Sequence, residues 1–199
     1  MKAVASLLTF PLVTIVAAIA PRAEPPAGPW TAGVWKIAEG TDVFFWGTPI
    51  NASGGKFWIN KAASTECPGD IENLDCSEYP GTETIFDGGN GTVFLDVGVP
   101  GGQQVYIAEN GALSYTIPHS GQIPDGSVAT GFSRQVSNAF GAPVLLYHAS
   151  GTWYICPVGE GEPKEKVYQL YVGKTDMEGC YWASVRTYQP GGGNAWEYV

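Results

Sequence analysis

Short runs of aromatic and β-branched residues, separated by glycine, proline, asparagine and aspartate, fill the chain after its first 20 residues. Such runs favour strands, and the 27 glycines and 15 prolines among 199 residues supply turns and interrupt helices. No segment in this region shows the helical spacing of apolar residues. We therefore predict an all-β fold, with strands at 34–38, 43–46, 56–60, 83–86, 92–97, 104–108, 112–116, 144–147, 152–156, 167–172 and 181–188.

The pattern within these strands indicates antiparallel sheets that bury one face. Val93, Leu95 and Val97 alternate with residues of the opposite face, because every second side chain of a strand points the same way. A single-domain antiparallel β-sandwich is favoured, with a β-trefoil or a small β-barrel as alternatives. The polar passage 124–143 carries little strand signal and is expected to be a surface loop or one short helical turn.

The first 20 residues have the layout of a secretory signal peptide, with one lysine, an uncharged apolar run and small residues at the end. A transmembrane anchor is the alternative, which Pro11 and the short apolar core disfavour. We expect residues 21–31 to be a Pro-rich lead-in, 32–190 one all-β domain and 191–199 a flexible tail. The protein should be secreted and extracellular, without membrane attachment after signal cleavage.

Four cysteines in an exported chain predict two disulfides, for which three pairings exist. The local pairing, Cys67 with Cys76 and Cys156 with Cys180, is favoured. Pro157 follows Cys156 and donates no ladder hydrogen bond, so we expect the strand to end at Cys156. Zinc is the competing interpretation, and it is disfavoured because the paired C-x-x-C spacing is absent.

The chain is acidic, with a formal net charge of −9 that becomes −10 when Lys2 leaves with the signal. Residues 62–133 hold ten acids and no lysine or arginine. Nucleic acid is therefore disfavoured as a partner, because no basic track exists for phosphates. The acidic loop 70–75 offers oxygen ligands for calcium but lacks the D-x-D-x-D-G spacing, so a solvated loop is favoured.

Few residues suit catalysis. The two histidines, His119 and His148, lie outside any nucleophile motif and are expected to be structural or solvent-facing. Glu83, Asp87 and Asp96 lie on or beside neighbouring predicted strands, and they are the candidate carboxylates of a glycoside hydrolase. We predict a non-enzymatic protein with no cofactor and no bound metal.

Two features of the sequence concern sugars. Asn51 in NAS and Asn90 in NGT match the N-glycosylation pattern, and we expect a glycan on each. Trp35, Trp46 and Trp58 lie in the first predicted strands, where consecutive aromatic residues must point to both faces of a sheet. Aromatic faces outside a core can stack on sugar rings, so these three are candidate polysaccharide-binding residues, with core packing as the alternative.

The segments WYICP, VYQLYVG and GCYWASVRTY, at 153–157, 167–173 and 179–188, resemble the fungal PhiA-type secreted cell wall proteins. The likeness is an order of features that covers most of the mature chain, from the signal peptide through aromatic strands that flank a Cys-Pro and a Gly-Cys. It implies an exported protein of the fungal wall, associated with conidium-forming structures, with no catalytic residues to carry over. The closely spaced Cys67 and Cys76 depart from this pattern, so no disulfide pairing is transferred.

Three functions follow as hypotheses. The favoured one is a non-enzymatic secreted glycoprotein that associates with the cell wall, binds wall polysaccharide and is linked to conidium and phialide development. The second is a secreted carbohydrate-active hydrolase that uses acids near Glu83 and Asp96. The third is a secreted effector or allergen-like antigen that acts on a host.

The substitution Cys156→Ser tests the predicted cross-link. Its loss should lower the free energy of unfolding by about 2–5 kcal/mol and reduce the secreted yield, because the unfolded chain gains conformational freedom. Thermal unfolding and the amount of protein in the medium measure the two effects. An unchanged melting temperature and yield would contradict a structural disulfide at Cys156.

Overall fold

The computed structural model describes residues 23–38, 43–173 and 178–199, so the predicted signal peptide lies outside the described residues. Within these ranges, fourteen strands and one 3-10 turn, Cys76–Glu78, make up the regular structure, which confirms the all-β prediction. The strands are β1 (Trp30–Lys36), β2 (Phe45–Pro49), β3 (Asn51–Ser53), β4 (Lys56–Ile59), β5 (Thr65–Glu66), β6 (Ile85–Leu95), β7 (Gln103–Ile107), β8 (Leu113–Tyr115), β9 (Phe132–Val136), β10 (Val144–His148), β11 (Trp153–Val158), β12 (Val167–Val172), β13 (Tyr181–Tyr188) and β14 (Glu197–Tyr198).

The strands close into a barrel. Hydrogen-bonded neighbours run β6, β7, β8, β4, β12, β11, β13, β10, β9 and back to β6, a ring of nine antiparallel strands. The favoured β-sandwich is therefore wrong, and the small β-barrel that was kept as an alternative is confirmed. Inward and outward side chains alternate in both architectures, so the sequence pattern did not separate them.

Closure depends on β13 and β6, each of which pairs with three other strands. One edge of β13 meets β1, while β11 and then β10 lie along the opposite edge. The strand β6 pairs with β1, β7 and β9 because it folds back on itself, and the amide of Asp96 donates to the carbonyl of Ile85 at 2.9 Å. Gly88 forms this bend with a φ of 81°, and a Cβ there would lie 2.7 Å from the carbonyl oxygen of Thr92. Outside the ring, β2 pairs with β1, β3 with β4, and β5 with β14.

Apolar side chains fill the barrel interior. The ring of Trp30 stacks on Phe86 with 4.7 Å between centroids, and Phe57 packs against Phe86 at 5.4 Å. A void of about 10 Å³ beside Trp30 and Phe86 is lined by apolar side chains, which offer a water molecule no hydrogen-bond partner. Because Trp30 is fully buried, the domain includes the end of the segment 21–31 that was predicted as a lead-in.

The C-terminal segment packs into the barrel, which corrects the flexible tail predicted at 191–199. Tyr198 is fully buried, and its hydroxyl donates to the carbonyl of Glu83 at 2.8 Å. The side chain of Gln103, also fully buried, accepts from the amide of Tyr198 and donates to its carbonyl, both at 2.8 Å. The same amide group of Gln103 donates to the carbonyl of Thr116 at 3.1 Å. The glycines at 191–193 suggested a loose tail, but the polar partners beyond them fix it.

Two further expectations from the sequence are corrected. The passage 124–143 contains β9, whose only buried residue among five is Phe132, so the apolar pattern was too weak to predict a strand. The strand β11 continues past Pro157 to Val158. The nitrogen of Pro157 faces the side of β11 on which β13 lies, but the pairing of β11 with β13 ends at Ile155. Pro157 is therefore tolerated, because no strand on that side requires a backbone N–H from it.

Two disulfides join Cys67 to Cys76 and Cys156 to Cys180. The first closes the acidic loop that precedes the 3-10 turn. The second connects β11 to the residue before β13, and Cys156 is buried in a small cluster outside the main core. The cross-link therefore ties β11 to β13, its neighbour in the ring.

The substitution Gln103→Ala should lower the free energy of unfolding by about 2–4 kcal/mol, because the amide and carbonyl of Tyr198 would lose their buried partner. Denaturant unfolding measures this loss. Gln104→Ala is the control, since the half-buried Gln104 side chain points to the other face of β7 and should change stability by less than about 0.5 kcal/mol. Equal losses in the two variants would contradict the role given to Gln103.

Candidate functional site

Four side chains form a cluster on the outer face of β1, β2 and β13, and we call Trp35, Trp46, Arg186 and Tyr188 the aromatic surface. Trp35 points outward because its neighbours in β1 point into the barrel, and it pairs across the ladder with Trp46. Their ring centroids are 4.3 Å apart, and the planes are inclined by 49°. The side chain of Trp46 is 76% exposed, so one large apolar ring stands in solvent on a rigid strand.

Trp35 is fixed from two further directions. The guanidinium carbon of Arg186 lies 3.7 Å from the centroid of the Trp35 ring, a close cation–π contact. The indole N–H of Trp35 donates to the hydroxyl oxygen of Tyr188. Gly33 allows this packing, because a Cβ there would lie 2.9 Å from the carbonyl oxygen of Gly47 and 3.1 Å from the Tyr188 ring.

A cleft of about 440 Å³ adjoins the aromatic surface, where β10 and β11 separate along the same edge of β13. Tyr147 and Trp182 line it, with exposed fractions of 43% and 41%. Ser184 also lines the cleft and is the cross-strand partner of Trp35. The cleft and the aromatic surface are therefore continuous across β13.

The third tryptophan predicted to bind sugar, Trp58, lies elsewhere. It is on β4, and the strands β11 and β12 separate it from β13 in the ring. Its indole N–H donates to the carbonyl of Ser53 at 2.7 Å, and the Lys61 ammonium lies 4.6 Å from its ring centroid. The structure thus brings together Trp35 and Trp46 but not Trp58. Arg186 and Tyr188 were not predicted, although their spacing from Trp182 in the predicted strand placed all three on one face.

The two glycosylation sequons lie on strands other than β1, β2 and β13. Asn51 is on β3, opposite Trp58 in the ladder, and its side-chain amide donates to the carbonyl of Lys61 at 2.8 Å. Asn90 is exposed in the bend of β6. Glycans at both positions stay a prediction.

The carboxylates proposed for hydrolysis have different surroundings. Glu83 accepts hydrogen bonds from the amides of Gly191, at 2.8 Å, and Gly192, so its carboxylate anchors the C-terminal segment. Burial raises the pKa of Asp96 above its ordinary value, and the negative charge of Asp87 raises it further, while a hydrogen bond from Asn194 lowers it. Glu83 is thereby engaged as a structural anchor, which weakens the hydrolase hypothesis.

The acidic loop that was considered for calcium is organised around its own backbone. Asp75 accepts from the hydroxyl of Ser77 at 2.7 Å and from its amide at 2.9 Å, and these hydrogen bonds lower the pKa of Asp75. The carboxylate caps the 3-10 turn in this way. Within the described ranges, no group of three or more His, Cys, Asp or Glu residues is arranged to hold a metal ion.

Comparisons with known proteins place the chain among secreted proteins. The family model for PhiA-like secreted proteins matches residues 33–199. The chain belongs to this family. A relative from Arthroderma benhamiae, described as an uncharacterized secreted protein, is 32% identical over 179 residues, which cover 84% of this chain and 80% of the relative. No solved structure matches the chain.

The family membership confirms the resemblance that was noted in the sequence, and the PhiA-like chain is a secreted, extracellular protein. PhiA-like proteins are not a known enzyme family. In the part of the chain that the structure describes, no helix has the length and apolar character needed to cross a membrane.

The two histidines of the PhiA-like protein have separate environments. His119 is exposed, with a φ of 59°. His148 is 5% exposed, its Nε2–H donates to the carbonyl of Thr130 at 3.0 Å, and its Nδ1 accepts from the amide of Ser150 at 3.0 Å. Burial lowers the pKa of His148 below its ordinary value, although the Thr130 hydrogen bond acts in the opposite direction. His148 is therefore a neutral, structural residue of the core.

The lowered pKa of His148 predicts acid sensitivity. Below the unfolded-state pKa of about 6.5, the unfolded chain binds a proton that the folded protein resists, so the free energy of unfolding falls as the pH falls. Between about pH 7.5 and 5.5, the melting temperature of His148→Gln should therefore fall less than that of the native protein.

Melting curves across this pH range provide the measurement. His119→Asn is the control and should keep the native slope, because the His119 side chain is exposed and asparagine tolerates a positive φ. If the melting temperature of His148→Gln fell with pH as steeply as that of the native protein, His148 would not be the cause of the acid sensitivity.

Proposed function

We propose that this secreted protein associates with the cell wall by binding wall polysaccharide on its aromatic surface, without catalysing a reaction. The observation that carries the proposal is the exposure of Trp46, which is 76% accessible although it packs against Trp35. A large apolar ring held in water by a rigid strand marks a binding site better than a scattered surface residue does. The C–H faces of sugar rings are apolar and flat, so they can stack on such a ring.

The shape of the region supports a polymer as the ligand. The aromatic surface and the cleft adjoin each other across β13, with aromatic rings at Trp46, Trp182 and Tyr147. An extended chain of sugars could place one unit on Trp46 and continue along the cleft, and the separate contacts would add their affinities. A small soluble sugar would use a part of this region.

The remaining parts of the proposal concern modification and biology. Glycans on Asn51 and Asn90 would be attached to β3 and to the bend of β6, neither of which contributes a side chain to the aromatic surface or the cleft. The engagement of Glu83 with the C-terminal segment supports binding without hydrolysis. The family resemblance suggests conidium-forming structures, including phialides, as the tissue in which to look for the protein.

The substitution Trp46→Ala tests the proposal. We expect the native protein to be retained on insoluble chitin, β-glucan or washed wall ghosts, and Trp46→Ala to bind about tenfold more weakly, because one stacking contact of about 1.4 kcal/mol is lost. Pull-down isotherms measure the affinity. The melting temperature should be unchanged, since the Trp46 ring is largely outside the core.

The matched control is Trp58→Ala, which removes a tryptophan from a different strand. It should bind each material as the native protein does, after thermal unfolding has shown that it is folded. Retention of Trp46→Ala at the native level would contradict the assigned surface. Failure of the native protein to bind any of the three materials would contradict polysaccharide binding itself.

A further inference from the structure

The two arginines that the structure describes both lie over a tryptophan ring, yet their polar environments differ. Arg134 lies 5.0 Å from the Trp30 ring, and it donates to the hydroxyl of Thr187 at 3.3 Å and to the carbonyl of Pro26 at 3.2 Å. The negative charge of Asp87 also acts on it. The donors and the charge of Arg134 are thus used within the protein.

Among the described residues, Arg186 has no hydroxyl, carbonyl or acid as a partner of the kind that Arg134 has. Its buried Nε–H makes no hydrogen bond, and no acid of the described chain forms an ion pair with it. Its guanidinium rests on the ring of Trp35, which is a partner for the flat face but not for the N–H donors around the edge. The aromatic surface therefore holds an unneutralised positive charge on a protein whose net charge is −9.

We propose that the aromatic surface binds saccharides that carry carboxylates, such as chains of uronic acid units, and that Arg186 pairs with the carboxylate. A carboxylate is planar, and the terminal N–H groups of the guanidinium, unlike the buried Nε–H, can donate to it in the same plane, so the two groups form paired, charge-assisted hydrogen bonds. The sugar ring of the same chain would stack on Trp46. The inference rests on the proposed function, because it names the class of polysaccharide that this surface prefers.

The surroundings of Arg186 favour selection by charge. Arg186 lies opposite Leu145 in the β10–β13 ladder and opposite Gly33 in the β1–β13 ladder, so apolar neighbours flank the guanidinium on both sides. Such neighbours exclude water and strengthen a charge-assisted contact. A second cation, Lys36, lies 5.2 Å from the Trp182 ring, but it is buried and donates to the carbonyl of Ile37 at 3.0 Å, so the charge of the aromatic surface is that of Arg186.

The test compares a (1→4)-linked hexagalacturonate with its carboxyl-reduced form, which has the same sugar backbone without the charges. Isothermal titration of the folded, secreted protein should show the acidic probe binding at least about tenfold more tightly than the reduced one. Added sodium chloride should lower the affinity for the acidic probe and leave the affinity for the reduced probe unchanged. Equal affinities for the two probes would overturn the inference.

Variants assign the charge to its residue. Arg186→Gln should reduce binding of hexagalacturonate to the level of the reduced probe and leave the latter unchanged. Lys61→Gln removes one positive charge over Trp58 on another strand, so it is the matched control and should bind both probes as the native protein does. Native binding by Arg186→Gln would overturn the inference, as would an equal loss in Lys61→Gln.

Two further outcomes separate this inference from the proposed function. Binding of chitohexaose or laminarihexaose that is lost in Trp46→Ala, without a preference for hexagalacturonate, would keep the polysaccharide function and overturn selection of acids. Binding of polyglutamate as tightly as hexagalacturonate, without loss in Trp46→Ala, would show attraction of any polyanion and overturn the inference. Absence of binding to every saccharide would overturn both proposals.

Discussion

The alternation of side chains along β13 is the constraint on which both the interior and the candidate site depend. Ala183 and Val185 point into the barrel, and the residues between and beside them, Trp182, Ser184 and Arg186, point outward. A strand cannot shift by one residue without exchanging the two sets, so the packing of the core fixes the position of the guanidinium. The outer surface is as rigid as the core behind it, which favours a binding site that is formed before the ligand arrives.

Much of the fold could be predicted from the sequence because the signals for strands are local. The boundaries of β12 and β13 were predicted to the residue, since the aromatic and β-branched runs there lie between Lys166 and Gly173 and between Cys180 and Gln189. The closure into a barrel was not decided by such signals, because it depends on which edges meet in space. The strand β9 is an example. Backbone hydrogen bonds place it between β6 and β10, while most of its side chains show no alternation of apolar and polar residues.

The candidate site shows the same division. Aromatic content suggested Trp35, Trp46 and Trp58, but only the register of β1 with β2 placed the first two side by side and left the third on β4. Arg186 escaped notice because one arginine in a strand carries no local signal of function. The role proposed for Arg186 depends on its surroundings. Its guanidinium lies over a tryptophan ring, its neighbours in the ladders are apolar, and no acid among the described residues forms an ion pair with it. The Gly-rich segment before Tyr198 was misjudged for a similar reason, since Gln103 lies far from it in the chain.

The pairing of β1 with β13 also affects how the protein is made. β1 is the first of the described strands to be synthesised, and its longest ladder is with a strand that is synthesised more than 140 residues later. Until β13 is synthesised, β1 can pair only with β2 and β6, so the barrel stays open. Barrel closure is a late, long-range event, which gives chaperones and disulfide-forming enzymes of the export route an interval in which to act on the chain.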